Sequence, residues 1–171
     1  MLILREFTLE DKNLVLDMIE EINKTDQNFE GLGIFRDITS YENLLNQLNI
    51  NKIQGTNTSP KLHQTTYGLF DNNELIGGIN LRHELKGNTI NHGGHIGYLI
   101  KPTKRNKGYG TKLLHLALIK AKELNINNIL ITCNKNNKAS EKVILNNNGK
   151  YENDYYDPFD HETYKRYWIQ N

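Results

Sequence analysis

Hydrophobic and polar positions along the chain predict seven strands and four helices. Short apolar or alternating runs indicate the strands, and apolar residues that recur every three or four positions indicate the helices. The predicted strands cover residues 2–7, 65–71, 74–85, 95–100, 129–133, 151–156 and 163–169. The predicted helices cover residues 10–24, 41–48, 111–124 and 138–146. Breaks are expected at 26–33 and in the polar stretch 53–63.

The most regular element is the helix at 111–124, whose apolar residues form one stripe. These residues are Leu113, Leu114, Ala117, Leu118, Ala121 and Leu124. Because apolar strands flank this helix, residues 95–133 are expected to form a right-handed strand–helix–strand unit with a parallel strand pair. The pattern predicts a single domain over 1–171 of the α+β (mixed α/β) class. Its central sheet is mostly antiparallel, with one parallel crossover and helices on both faces.

Composition narrows the protein class without naming a function. The chain has 171 residues, 37% hydrophobic and 24% charged, which is typical of a globular protein. No apolar run reaches membrane-spanning length, and the first residues lack the layout of a signal peptide. Cys133 is the one cysteine, so no disulfide framework is expected. We therefore expect a cytoplasmic protein that does not associate with membranes.

The distribution of charge is more informative than the net charge of +1. Between Glu84 and Glu123 there is no carboxylate, whereas eight lysines and arginines lie in that interval. A locally basic region in a nearly neutral protein indicates a confined anionic ligand rather than a long polyanion. Nucleic acid is therefore not expected as a partner, all the more because aromatic residues are not interleaved with these cations.

The segment from Ile100 to Gly110 carries the strongest functional signal. It follows a predicted strand, contains Gly108 and Gly110, and opens directly into a predicted helix. The first turn of a helix has unpaired backbone N–H groups and partial positive charge, and glycines allow a phosphate to approach them closely. The segment is therefore predicted to bind a phosphate group.

Two common phosphate-binding loops do not fit the spacing. A P-loop requires Gly-x-x-x-x-Gly-Lys-Ser/Thr, which is absent, and Gly110-Thr111-Lys112 has its last two residues inverted. A dinucleotide fingerprint requires a third glycine where this chain has Leu113, and no acidic residue follows at the expected distance. The pattern that remains is Arg105-x-x-Gly108-x-Gly110.

That pattern resembles the pyrophosphate loop of the GNAT superfamily of acetyl-CoA-dependent N-acetyltransferases, Arg/Gln-x-x-Gly-x-Gly/Ala. Other features agree in order and spacing from about Thr65 to Gly149. The preceding strand ends in Ile100-Lys101-Pro102, and the next strand leads to Asn137-Lys-Ala-Ser140, which opens a short helix closed by Gly149. The resemblance implies the GNAT fold, in which the coenzyme lies where two parallel strands splay apart.

The resemblance also implies which residues hold the coenzyme. Backbone N–H groups would bind the pyrophosphate, main-chain groups of Leu99 and Ile100 would meet the pantetheine, and Arg105 would contact a phosphate. The pyrophosphate residues carried onto this chain are Asn106, Lys107, Gly108, Gly110 and Thr111. Asn137 and Ser140 would approach the thiol end from the opposite strand, and Asn137 would also cap its helix. Acetyl-CoA is thus the expected co-substrate. No metal is expected, because His92-x-x-His95 has no third ligand at a suitable spacing.

The chain departs from the family where a general acid is usual. Many members carry a Tyr four residues after the Ala/Ser position, and here that position is Ile144. Tyr98, Tyr109 or a water molecule are the alternatives for the group that protonates the departing thiolate. For the general base, the candidates are His95, whose ordinary pKa suits the task, and Glu84, whose pKa would have to be raised by burial.

The function implied by the resemblance is acetyl transfer from acetyl-CoA to a primary amine, by direct attack in a ternary complex. The amine is expected to belong to a small molecule, an antibiotic, a peptide or a protein. Asp26, Glu30, Asp37 and the acidic C-terminal region would favour a cationic acceptor. The alternative function is that of a non-catalytic acyl-CoA binding or sensing module of the same fold. The sequence is compatible with a monomer or a homodimer.

Overall fold

The computed structural model describes residues 1–25, 31–36, 38, 40–53 and 62–171. The strands are β1 (Leu2–Glu6), β2 (Gln64–Asp71), β3 (Glu74–Arg82), β4 (Ile96–Ile100), β5 (Asn128–Asn134), β6 (Lys150–Asp157) and β7 (Glu162–Gln170). The helices are α1 (Lys12–Thr25), α2 (Tyr41–Lys52), α3 (Tyr109–Glu123) and α4 (Lys138–Leu145). Short 3-10 turns lie at Leu9–Asp11, Gly33–Phe35, Gly87–Ile90 and Pro102–Lys104. Within the described ranges, no helix is long and apolar enough to cross a bilayer.

The strands form two antiparallel sheets. The first has the order β1-β2-β3-β4, and the second has the order β5-β7-β6. In the first sheet, β3 and β4 pair without a register shift from Gly77 opposite Ile100 to Leu81 opposite Ile96. In the second, β5 and β7 pair from Asn128 opposite Gln170 to Asn134 opposite Tyr164.

Two hydrophobic clusters cover opposite faces of these sheets. On one face, which we call the front, α1 and α2 pack on the first sheet. Val15 and Met18 of α1 and Tyr41 of α2 belong there to one cluster with Leu99 of β4. On the other face, the back, the apolar stripe of α3 packs on both sheets in a cluster that also contains Ile144 of α4. Alternation along a strand therefore separates the side chains of β4, with Leu99 at the front and Ile96, Tyr98 and Ile100 at the back.

The predicted mixed α/β class with helices on both faces is confirmed, and the predicted element types agree with those observed. The boundaries differ by a few residues. Strand β3 ends at Arg82 rather than at Leu85, and α3 starts at Tyr109 because Gly108 adopts the left-handed conformation that ends the preceding loop. The predicted breaks at 26–33 and 53–63 lie partly outside the described residues.

The two sheets meet where β4 and β5 begin. The His95 N–H donates to the Leu130 carbonyl at 2.7 Å, and the Leu130 N–H donates to His95 Nδ1 at 2.9 Å. Beyond this junction neither strand pairs with the other: β4 bonds to β3 and β5 bonds to β7. The predicted parallel pair is thus limited to its first residues, and a cleft opens between the two strands toward their carboxyl ends.

Candidate active site

The glycine loop, residues 101–110, joins β4 to α3 at the open end of the cleft. Gly108 has φ +79° and Asn106 has φ +59°, so the loop turns twice through the left-handed region. A Cβ placed on Gly108 would meet no atom within 4 Å, which leaves open space before the helix. The N–H groups of Tyr109, Gly110 and Thr111 donate to no other described residue. Unpaired amides that face open space at a helix start suit a phosphate group.

Gly110 has a different role, which is to bring α3 close to α4. A Cβ on Gly110 would lie 3.0 Å from Cγ2 of Val143. The amide of Asn147 joins the same two helices, donating to the Thr111 carbonyl at 3.2 Å and to the Val143 carbonyl at 2.9 Å. The start of α3 is therefore held against α4, whose first turn lies across the cleft.

The cationic side chains of the glycine loop have partners within the protein. Lys101 lies 3.3 Å from Oε2 of Glu21, and Lys104 donates to Glu74 at 2.7 Å, a contact that raises the pKa of Lys104. Lys107 donates to the Thr103 carbonyl at 3.0 Å, and the Nε of Arg105 donates to the Ile100 carbonyl at 3.0 Å. The capacity of the loop to bind an anion therefore depends first on its backbone amides.

The free edge of β4 faces the cleft with alternate backbone groups. Hydrogen bonds from Arg82 N–H to the His95 carbonyl and from Lys101 N–H to the Ile76 carbonyl set the alternation of the β3–β4 ladder. By that alternation the backbone N–H and C=O of Leu99 point to β3, and those of Tyr98 and Ile100 point away from it. An extended ligand in the cleft would therefore meet Tyr98 and Ile100.

Ser140 and Tyr98 face each other across the cleft. Their oxygens are 2.9 Å apart, joining β4 to the first turn of α4. Burial raises the pKa of Tyr98 to about 12, so its hydroxyl stays protonated at neutral pH and can donate a hydrogen bond. Nearby on β5, burial together with Glu141 raises the pKa of Cys133 to about 11, so this thiol is protonated at neutral pH.

Asn137 caps α4, as the sequence predicted. Its side-chain oxygen accepts the Ser140 N–H at 2.9 Å. Its Nδ2 group makes no hydrogen bond to any described residue. The cap thus fixes the amide group while leaving one donor for a ligand.

Ile144 is fully buried, and its Cγ2 would lie 2.4 Å from a Cβ placed on Gly149. It belongs to the back-face core and offers no polar group to the cleft. Ile144 therefore supplies no hydroxyl to the cleft, whereas Tyr98 and Ser140 each bring one into its described part.

The two candidate bases lie apart from each other. His95 sits at the closed end of the cleft, 7% exposed, and its Nδ1 lone pair accepts the Leu130 N–H. Burial is the main reason that its pKa is lowered. Glu84 lies beyond the end of β3, partly exposed, and forms an ion pair with Lys86. His95 is therefore already occupied by a structural hydrogen bond, and Glu84 is engaged with a lysine.

The front opening of the cleft is bordered by residue 31 on the β4 side. A Cβ on Gly31 would lie 2.3 Å from the Tyr98 carbonyl oxygen, so this glycine lies directly against the β4 backbone.

Asp26, Glu30 and Asp37, which were expected to favour a cationic acceptor, fall outside the described residues. The acidic residues of the C-terminal region all have partners: Glu152 with Arg166, Asp154 with Lys135, Asp157 with His92, Asp160 with Tyr164 and Glu162 with Asn134. Among the described residues, no group of three or more His, Cys, Asp or Glu is placed to bind a metal ion.

Comparison with known structures finds the same fold in acetyltransferases. RimL, a ribosomal-protein alpha-N-acetyltransferase solved in complex with coenzyme A as a disulfide with one of its cysteines, shares 20% identity at a TM-score of 0.72, over 99% of this chain and 93% of that one. An acetyltransferase from Salmonella typhimurium that modifies the N-terminal serine of a 50S ribosomal subunit protein shares 17% identity at a TM-score of 0.71, over 99% and 95%. The putative acetyltransferase yncA from Salmonella typhimurium, solved with acetyl-CoA, shares 11% at 0.67, over 99% and 93%.

Among curated proteins, no sequence matches the chain significantly. The sequence profile described as an acetyltransferase (GNAT) domain matches residues 1–149, from β1 to the glycine that follows α4. The matched range contains the glycine loop, the free edge of β4 and the capped start of α4. The chain therefore belongs to the GNAT family of acetyltransferases.

Proposed function

We propose that this acetyltransferase moves the acetyl group of acetyl-CoA to a primary amine by direct attack in a ternary complex. The observation that carries the proposal is the continuity of the site. Unpaired amides at the start of α3 adjoin a cleft whose walls are the free edge of β4 and the first turn of α4. Acetyl-CoA has a matching extended shape, with phosphates at one end and a thioester at the other.

The coenzyme-binding residues follow from that placement. The amides from Asn106 to Thr111 hold the pyrophosphate, and the positive φ of Gly108 aims them. The backbone groups of Ile100, with those of Tyr98, pair with the pantetheine, while Leu99 supports them through its pairing with β3. A cleft-facing N–H on β4 polarises the thioester carbonyl, a contribution of about 3 kcal/mol for one oxyanion donor.

Acetyl transfer requires a neutral amine and a proton for the departing sulfur. When the amine attacks, the new C–N bond forms as the C–S bond breaks. The nitrogen loses a proton to solvent, the thiolate takes up a proton, and solvent restores the proton that the donor gives up. We assign that donation to Ser140, relayed from Tyr98 through their 2.9 Å contact. A thiol with an ordinary pKa of about 8.5 is a tolerable leaving group, so the donor accelerates the reaction without being indispensable.

The acceptor class that we favour is the α-amine of a peptide or protein. Two structural neighbours of this chain are described as acetylating ribosomal proteins, and one of these acts on an N-terminal serine. Small polyamines and amine-bearing antibiotics are the other acceptors to compare.

The proposal is tested by coenzyme binding and by turnover with a panel of amines. Isothermal titration with CoA measures the first, and release of free thiol from acetyl-CoA measures the second. The panel contains a hexapeptide with N-terminal serine, the same peptide with a blocked N-terminus, spermine and an aminoglycoside. We expect CoA binding, and turnover with the free peptide that disappears when its N-terminus is blocked.

Two results would contradict the proposal at different points. Binding of CoA without turnover of any amine would favour the non-catalytic acyl-CoA module. Turnover with spermine or the aminoglycoside but not with the peptide would retain acetyl transfer and overturn the peptide class.

A further inference from the structure

The loop formed by residues 90–94 is held on the front of the second sheet by two arginines. Nη1 of Arg82 donates to the carbonyls of Gly93 and Gly94, each at 2.9 Å. Nη1 of Arg166 donates to the carbonyl of Asn91 at 2.6 Å and also to that of Ile90. These bonds engage the backbone on both sides of residue 92. A loop fixed so firmly can hold a side chain in one position.

That side chain is His92, which stacks on two tyrosines. Its ring centroid is 4.8 Å from that of Tyr164 and 6.1 Å from that of Tyr155, with interplanar angles of 21° and 11°. Its Nε2 is buried and lies 2.6 Å from Oδ2 of Asp157, a close contact without the alignment of a regular hydrogen bond. Asp157 is 3% exposed, and its other oxygen accepts the Phe159 N–H at 2.8 Å.

The second ring nitrogen, Nδ1, has no partner among the described residues, and 24% of the His92 side chain is exposed. A neutral ring that presents N–H from Nε2 to a buried carboxylate leaves a lone pair on Nδ1. His92 thus has one nitrogen directed at an acid and one left for another molecule.

The loop that carries His92 reaches β5, the strand on one side of the cleft. Tyr164 pairs with Asn134, the last residue of β5, and the Gly93 N–H donates to Thr132 Oγ1 at 2.9 Å. Thr132 and Asn134 alternate with Ile131 and Cys133 of the back-face core, so their side chains face the front. His92 therefore lies over β7 on the front of the second sheet, and its loop contacts β5, the strand that borders the cleft.

We propose that His92, oriented by Asp157, is the general base that removes a proton from the acceptor ammonium. Resting on the proposed function, this inference supplies the proton acceptor that acetyl transfer requires. The proton moves from R–NH₃⁺ to Nδ1, which leaves R–NH₂ to attack the thioester and an imidazolium whose Nε2–H faces the Asp157 carboxylate. The imidazolium returns the proton to solvent after turnover.

Other charged and titratable groups around the ring are compatible with this role. Asp160 accepts the Tyr164 hydroxyl at 2.6 Å, and burial raises the pKa of Tyr164, so the stacked ring stays a neutral phenol. Arg82 and Arg166 direct their guanidinium groups to loop carbonyls rather than to the imidazole. Asp157 is thus the carboxylate in direct contact with the ring.

The test compares His92→Gln, Asp157→Asn and the matched control His115→Gln, which changes an exposed histidine on α3. Each is assayed with the N-terminal-serine hexapeptide, or with whichever panel amine gives the greatest wild-type turnover, from about pH 5.5 to about pH 9.5. For His92→Gln we expect a loss of about 100-fold in kcat near neutral pH, with KM for acetyl-CoA within about twofold of wild type. The deficit should shrink as the pH approaches the ordinary α-amine pKa of about 8, because solvent then supplies the neutral amine.

A smaller loss of about tenfold is expected for Asp157→Asn, since the base remains but its imidazolium loses the facing charge. His115→Gln should match wild type. Full activity in His92→Gln, or a loss that is the same at every pH, would overturn the proposal. If wild type binds CoA and turns over no amine, the proposed function fails rather than the assignment of the base.

Should His92→Gln fail to fold, the wild-type protein still decides. ¹⁵N NMR of the histidine side chains at neutral pH should show protonated Nε2 and unprotonated Nδ1 for His92. Protonated Nδ1 in the neutral ring would overturn the proposal, because no lone pair would then face the acceptor.

Discussion

At Gly108 one residue decides whether the helix start can serve as an anion site. Its φ of +79° is energetically unfavourable for any residue with a Cβ. A Cβ at this position would nevertheless meet no atom within 4 Å. Glycine is therefore required here for the backbone conformation and not for lack of room. Gly110 differs, since a Cβ there would lie 3.0 Å from Cγ2 of Val143 and that side chain would have to shift.

We predict that Gly108→Ala destabilises the protein by about 1 kcal/mol, because alanine resists the left-handed conformation. A chain of this size should show a drop in Tm of about 2–4 °C. Affinity for CoA should fall with it, as the amides of the first turn lose their direction. Calorimetry and titration with CoA measure the two effects. Gly33→Ala is the matched control, because Gly33 has equally open surroundings and no positive φ. Equal effects of both substitutions would contradict the assignment.

A second prediction at this scale concerns Tyr98→Phe, which removes one hydroxyl and keeps the ring. If the hydroxyl supplies the proton through Ser140, kcat should fall by about tenfold while KM for acetyl-CoA stays near the wild-type value. Ser140→Ala should give the same kcat, and the double variant should lose no more, since the two groups act as one relay. Additive losses would show that the hydroxyls act separately.

Among the elements, those encoded by local pattern were predictable and those built by tertiary contacts were not. The stripe of α3 and the cap of α4 depend on spacings of three and four residues, so both could be read from the sequence. The divergence of β4 from β5 depends on β7 pairing with β5 from the far end of the chain. No local pattern in residues 95–133 carries that information.

The cap of α4 also separates two roles of one side chain. Asn137→Ala should cost about 1 kcal/mol of stability, as the loss of an N-cap usually does. Asn137→Ser should restore that stability, because serine is also a good cap, but it lacks the Nδ2 donor. We therefore expect the serine variant to bind CoA about 2–10-fold more weakly than wild type, which corresponds to one hydrogen bond. Wild-type affinity in the serine variant would mean that Asn137 acts through the cap alone.

In the molecule as a whole, the site arises where two sheets are joined at one end only. The glycine loop was predictable because its residues are contiguous. The pairs formed by Tyr98 with Ser140 and by His92 with Asp157 join residues far apart in sequence, and only the arrangement of β4, β5 and β7 brings them together. His92 entered the sequence-based predictions only in a metal pair with His95. His95 itself ranked as a base because its ordinary pKa suits that role, although its ring is used at the junction.

The junction predicts how His95 variants behave. In His95→Leu the Leu130 N–H loses its acceptor, which should cost about 1–3 kcal/mol of stability. His95→Gln offers a replacement oxygen and should recover part of this. Burial lowers the pKa of His95 in the folded state, so the unfolded chain binds more protons and wild-type stability should fall as the pH drops below about 6.5. His83, whose pKa is lowered chiefly by burial, acts in the same direction, so the glutamine variant should show a weaker pH dependence rather than none. Thermal unfolding from about pH 5 to about pH 8 measures both effects.

If His95 instead served as the base, the glutamine variant would be folded and inactive. We expect it to keep the turnover and the pH–rate profile of wild type, because the proton would be taken up at His92.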